Sequence, residues 1–305
     1  MNMKFDYLLK QGVNQNLIEE VKKFRKKFPL PDDMNGRVAV PPFEFYGKDI
    51  LEMSIAAILQ GENILLSGPK ATGKNVLCDN LSYLFNRPSY NVSFNVNTDS
   101  ASLIGTDTFE DNMVKLRKGP VYQCALNGGF GIFDEINMAK NDAVSVLHST
   151  LDYRRIIDIP GYDKIVLHEA TRFIGTMNYG YAGTKELNEA LVSRFLVIDM
   201  PALNEETLLK IMRTAFPDAK EKSLEQLGGL FLDLQLKALN GEISTKPIDL
   251  RGLLSAMKTI RAGLNPSDGI KMGITNKTFD LFEREIINDV VLTRIPSNWT
   301  SNDIF

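Results

Sequence analysis

The sequence predicts an α/β fold, a parallel sheet carrying a phosphate-binding loop, followed by a smaller all-helical domain. Three observations carry that expectation. Short apolar runs alternate with amphipathic segments through the first two thirds of the chain, the pattern of a parallel sheet covered on both faces. The stretch Gly68–Asn75, GPKATGKN, follows one such run and opens a helix. After Pro201 only helical patterns remain.

Taken in order, residues 1–45 read as a helical preface. In NLIEEVKKFRKKF (16–28), Leu17, Val21, Phe24 and Phe28 recur at spacings of three and four, giving one apolar face. Lys22, Lys23, Arg25, Lys26 and Lys27 fill the other faces as a solvated surface, and Pro29 and Pro31 stop the helix. The core domain, 46–201, then alternates. DILEMSIAAILQ is a helix, NILLSG a strand, KNVLCDNLSYLF a helix, and YNVSFNV and FGIFDE strands. AVSVLHSTLD is a helix, TRFIGTMN a strand, NEALVSRF a helix and LVIDM a strand. The helical domain, 202–305, holds NEETLLKIMRTAF, LEQLGGLFLDLQLKALN, LRGLLSAMKTIRAGL and KTFDLFEREIINDVVLTRI.

Composition narrows the function classes. The chain is 305 residues long, 44% apolar and 24% charged, as soluble globular proteins are. A net charge of −3 offers no basic surplus for nucleic acid or a membrane surface. Two separated cysteines, Cys78 and Cys124, match no metal-ligand spacing and imply a reducing compartment. His148 and His168 read as packing and turn contacts. No apolar run reaches the roughly 20 residues of a membrane helix, and the N-terminus lacks a secretory pattern. A cytoplasmic protein with no membrane contact is expected.

The chemistry concentrates in four places. In the loop, Gly68 and Gly73 permit a tight backbone whose N–H groups face a phosphate, and Lys74 can reach the β- and γ-phosphates. The usual pattern ends in Ser or Thr, which holds Mg2+; here Asn75 stands in its place. GGFGIFDEIN sets Asp134 and Glu135 at the sheet's C-terminal edge, where open α/β sheets bind ligands. Strand alternation points the two to opposite sides, Asp134 towards a metal and Glu135 towards an attacking water. Asn178 ends TRFIGTMN and either reaches that water or begins a turn. Arg194 closes an amphipathic helix, either as a cation at a helix C-terminus or as a group answering a neighbouring subunit's nucleotide.

These pieces in this order resemble the AAA+ ATPases, in their MoxR-like and dynein-related branch. GPKATGKN, GPVYQCALNGGFGIFDEINMA, HEATRFIGTMNYGYAGTKELNEALVSRF and IDLRGLLSAM carry the resemblance, and MNYGYAGTKELNEAL is similar to a run in midasin and dynein modules. The resemblance implies ATP with Mg2+ at a subunit interface in a homo-oligomeric ring, usually a hexamer. Gly68, Pro69, Lys70, Ala71, Thr72, Gly73, Lys74, Asn75 and Val76 would form the nucleotide-binding stretch. Lys74 would be the Walker A lysine, and Asp134 and Glu135 the Walker B pair, with Asn75 and Asp134 on the metal. Asn178 would be sensor 1, Arg194 the arginine finger and Arg251 the sensor 2 arginine of a helical lid. Residues 99–122 and 152–171 look like the branch's two insertions, near the pore of the ring.

The sequence departs from the family pattern at Asn75 and at Asp249, where a small residue often precedes the sensor 2 arginine. With no attached substrate-binding domain evident, target recognition is expected to use the preface, the insertions or a separate partner. The leading expectation is an ATPase that remodels or activates a partner protein, in this family often one with a von Willebrand factor A domain. A McrB-like nucleic-acid motor subunit and a nucleotide-gated scaffold with little hydrolysis are the alternatives.

Overall fold

The protein is described by a computed structural model covering residues 3–159, 161–179 and 186–305. The chain forms two compact units: Met1–Pro69 with Gly73–Met200, and Pro201–Phe305 with the loop residues Lys70–Thr72.

The first unit opens with α1 (Met3–Lys10) and α2 (Gln15–Lys27). Asn14 caps α2 by accepting the Asn16 N–H at 2.9 Å, satisfying one of the donors a helix start leaves open. Ile18, Val21 and Phe24 form its buried stripe, with Leu17 and Phe28 packed at the margin. These helices are not set apart from the core as a separate preface. Tyr7, Leu8, Ile18 and Val21 share one apolar cluster with α3 (Lys48–Leu59) and α4 (Lys74–Phe85). The buried Arg87 guanidinium ties α2 down, donating to the carbonyls of Phe28 (2.8 Å), Asn127 (3.0 Å) and Gly128 (2.7 Å).

The main strands are β1 (Ile64–Gly68) and β2 (Ser89–Ser93), followed by α5 (Ser100–Ile104). A hairpin of β3 (Gly105–Glu110) and β4 (Met113–Lys118) then leads into α6 (Pro120–Asn127) and β5 (Phe130–Asp134). The predicted helix over 143–152 is two short pieces, α7 (Asn141–Ser145) and α8 (His148–Leu151). Between α8 and the next core strand lies a minimal ladder, β6 (Ile156–Ile157) with β7 (Ile165–Val166). The unit closes with β8 (Arg172–Asn178), α9 (Glu189–Val192) and β9 (Leu196–Asp199).

Five of these strands form one all-parallel sheet in the order β2-β5-β8-β1-β9. Strand alternation assigns its side chains to two cores. Ile64, Leu66, Phe130, Ile132, Ile174 and Ile198 join the cluster of α1–α4, whereas Leu65, Phe133 and Phe173 join the cluster built with α5 and α6. Both faces are therefore covered, as parallel sheets require.

The second unit contains α10 (Glu205–Ala215), α11 (Glu221–Leu239), α12 (Leu250–Arg261), α13 (Pro266–Gly273), α14 (Leu281–Arg294) and α15 (Ser301–Ile304). The reading of helix over 277–295 begins too early: Asp280 caps α14 by accepting the Glu283 N–H. The unpredicted α13 has its own start signal, the Asn265 cap and Pro266 in the first turn. Among the described residues no helix is long and apolar enough to cross a membrane.

Candidate nucleotide site at the edge of the parallel sheet

The C-terminal edge of the sheet collects most of the singled-out residues. β1 ends at Gly68, and α4 begins at Lys74. Gly68 is small of necessity, because a Cβ there would lie 2.5 Å from the Met200 carbonyl oxygen. Two of the loop residues turn through the left-handed region, Ala71 at φ 62° and Gly73 at φ 85°. The second suits glycine; the first is a conformation that alanine seldom adopts. Val76 follows in α4, partly buried against the cluster of the N-terminal helices.

Lys74 is buried, and its Nζ donates to the carbonyls of Gly68 (2.9 Å) and Pro69 (2.7 Å). Burial lowers its pKa to about 8, against the opposing pull of Asp134 and Glu135. The ammonium thus sits inside the loop, with two carboxylates close enough to influence it.

β5 and β8 deliver the acids and their partners. The Asp134 carboxylate accepts on both oxygens, Oδ1 from the Thr176 hydroxyl at 2.7 Å and Oδ2 from the Asn75 side-chain amide at 3.3 Å. Glu135 has left the strand, at φ 53°. Alternation therefore does not determine where its side chain lies, and the expectation of opposite sides does not apply. A turn at Glu135 redirects the chain instead. Its backbone N–H donates to Thr176 Oγ1 at 3.1 Å, and its carboxylate accepts from Asn178 Nδ2 at 3.0 Å. Asn137 adds a bond from its side-chain amide to the Asn178 carbonyl at 3.4 Å. Lys74, Asn75, Asp134, Glu135 and Asn178 are thus one connected constellation.

Sequence reasoning missed Thr176 and Asn137. Thr176 was within reach of it, standing two residues before Asn178 on β8 and hence on the same strand face. A polar side chain alternating with Asn178, directly after the apolar stretch Phe173–Gly175, is that signal.

Arg194 and Arg251 are the two remaining predicted residues. Arg194 does not close a helix, since α9 stops at Val192. Its guanidinium turns back on its own unit, donating to the carbonyls of His148 (3.1 Å) and Ala190 and lying 3.9 Å from Asp152. Asp152 also pairs with Arg154. Arg251 occupies the first turn of α12 in the second unit, exposed to solvent. The Asp249 that precedes it pairs with Lys277 at 3.2 Å. Of the MNYGYAGTKELNEAL run, residues 180–185 lie outside the described residues.

Among the described residues, the Tyr162 hydroxyl joins the two insertion-like segments by donating to Asp107 Oδ1 at 2.6 Å. The hairpin β3–β4 exposes Phe109, Met113 and Val114. Arg155 is half-buried and donates to the carbonyls of His168 (3.3 Å) and Thr171 (3.0 Å).

A parallel sheet with a phosphate-type loop between its first strand and helix, and two acids at a neighbouring strand end, defines a loop-bearing nucleotide-binding protein. A family model described as "AAA domain (dynein-related subfamily)" matches residues 63–195, from just before β1 to just before β9. The chain is 30% identical over 273 residues to the uncharacterized protein YojN of Bacillus subtilis, spanning 88% of this chain and 90% of that one. It is 33% identical over 237 residues to an uncharacterized protein of Staphylococcus aureus, 75% of this chain and 89% of that one. A crystal structure of a proposed ATPase from Cytophaga hutchinsonii aligns over 91% of this chain and 96% of that one, at 19% identity and a TM-score of 0.44, too low to add to the fold just described. The chain belongs to the AAA+ family, in its dynein-related subfamily.

Proposed function

We propose that this chain is a Mg2+-dependent ATPase that works in a homo-oligomeric ring and remodels or activates a partner protein. The observation that carries the ATPase part is the constellation itself: a buried lysine inside the loop, with Asp134 and Glu135 each held by a side chain of β8.

The residues present fit the nucleotide and the metal. Backbone N–H groups of the loop and the start of α4 favour phosphate oxygens. Magnesium is held in many nucleotide sites by one or two carboxylates together with substrate phosphates. Asp134 offers one carboxylate, and Asn75, whose amide nitrogen engages Asp134, keeps a hard amide oxygen for the same purpose. The bound metal would neutralise charge that develops on the phosphates during transfer.

The chain's own residues supply position and electrostatics. Lys74 exchanges its two carbonyl partners for phosphate oxygens and places a fixed positive charge beside the transferring group. Glu135 orients an attacking water and draws its proton, while Asn178 fixes the carboxylate by donating to it. Arg194 would serve a neighbouring copy's nucleotide only after letting go of Asp152 and the His148 carbonyl. Arg251 would act as the lid's sensor. The ring and a partner with a von Willebrand factor A domain enter this reading through the family resemblance.

The test is ATP turnover of the wild type beside Glu135→Gln. The variant is expected to bind ATP normally and to lose about a hundredfold or more in turnover. Equal turnover in the two proteins would sink the ATPase reading. Salt-dependent stimulation of turnover by DNA would favour a nucleic-acid motor over a protein remodeller.

A further inference from the structure

We propose that Thr176 is a positioning residue for this reaction, its one buried hydroxyl holding both the Asp134 carboxylate and the Glu135 backbone. The inference rests on the ATPase reading above and goes beyond it in naming what sets the two acids relative to each other. A threonine hydroxyl carries one proton to donate and lone pairs to accept with. Here it does both: it donates to Asp134 Oδ1 at 2.7 Å and accepts the Glu135 N–H at 3.1 Å. Thr176 is 1% exposed, so water has no ready access to replace it in either bond.

Two features make this bridge consequential. Glu135 sits at φ 53°, a conformation rare for residues other than glycine and kept only where surrounding contacts over-determine it. Its N–H bond to Thr176 is such a contact. Asp134, for its part, is clamped from both sides, by Thr176 on one oxygen and Asn75 on the other. Removing the hydroxyl releases one carboxylate oxygen and, among the described residues, leaves the Asn75 amide as the hydrogen-bond donor to the other. Thr176 is itself rigid, because β8 is the central strand of the sheet, paired with β5 on one side and β1 on the other. A rigid strand therefore sets the metal-side acid and the water-side acid through a single atom, and Asn178 on the same strand completes the hold on the Glu135 carboxylate.

Thr176→Val removes the hydroxyl while keeping the shape, and Thr176→Ser restores it. Four readouts are compared: hydrogen exchange of the Glu135 amide in the nucleotide-free protein, ATP affinity without metal, Mg2+ binding to the ATP-bound protein in a Glu135→Gln background, and kcat and KM with Glu135 intact. The valine variant is expected to keep its ATP affinity, to exchange the Glu135 amide faster, and to lose about ten- to a hundredfold in Mg2+ affinity and in kcat, with KM little changed. The serine variant should recover all of these. Wild-type exchange and wild-type Mg2+ affinity in Thr176→Val would overturn the proposal. So would a loss of ATP affinity and thermal stability in both variants, the signature of a packing role. If the wild type fails to hydrolyse ATP while exchange and Mg2+ binding respond as expected, the ATPase reading falls and the hold of Thr176 stands. If the wild type hydrolyses and the valine variant matches it throughout, only the present inference falls.

Discussion

Lys74 shows how burial tunes one residue of this loop. Its ordinary pKa of 10.5 falls to about 8 because the interior disfavours the ammonium, although Asp134 and Glu135 pull the other way. Below pH 8 the group is charged; above it, the free protein gives up the proton. A phosphate brought beside it favours the charged form, so binding above pH 8 must take up a proton. ATP affinity measured without metal should therefore fall as pH is raised from about 7 to about 9.5, by at most about tenfold per pH unit. In Lys74→Arg that slope should vanish, because a guanidinium stays protonated throughout. A wild-type affinity flat across this range would show that the lysine charge does not serve the nucleotide. Asn75 is the other residue whose meaning the geometry sharpens. The odd letter of the loop is bonded to Asp134, inside the constellation and not beside it.

At the scale of elements, the N-terminal helices behave as structure. α1 and α2 contribute Leu8, Ile18 and Val21, all nearly inaccessible, to the cluster that also contains Leu51, Ile55 and Leu81 of α3 and α4. Burying each such side chain contributes about 1.5–3 kcal/mol. Deleting residues 1–28 also removes the Phe28 carbonyl that the Arg87 guanidinium holds. That deletion is expected to lower the melting temperature sharply and to promote aggregation through the bared faces of α3 and α4, read by thermal denaturation and light scattering. A truncated protein as stable as the full chain would make these helices a dispensable preface. The apolar spacing in 16–28 was legible in the sequence, whereas α1 was not, because its eight residues are too few to display a period. The short pieces α7, α8 and α9 were read too long for a related reason. Helices of four or five residues draw their stability from their surroundings, and propensity alone does not mark where they stop.

For the whole molecule, the open matter is Arg194. Within one chain it is satisfied by carbonyls and by Asp152, itself engaged with Arg154 at the start of the second insertion-like segment. If rings form and the arginine acts across copies, turnover per chain should rise with protein concentration. Arg194→Ala should then lose about a thousandfold in turnover while still binding ATP. Concentration-independent turnover, unaffected by that substitution, would confine Arg194 to the intramolecular role described here.

By itself the sequence determined the parallel α/β architecture, the loop with its lysine, the pair of acids and the helical C-terminal third. Each is written in a local pattern: alternating apolar runs, a glycine-rich turn between strand and helix, a strand ending in carboxylates, and helical periodicity. What only the tertiary structure decided is who holds whom. Strand order places β8 between β5 and β1, residues far apart in the chain, and so brings Thr176 to Asp134 and Asn178 to Glu135. The same folding turned Arg194 and Arg155 inward onto carbonyls. Hydrogen-bond partners are chosen by proximity in space among many polar candidates, and a linear pattern carries no record of that proximity.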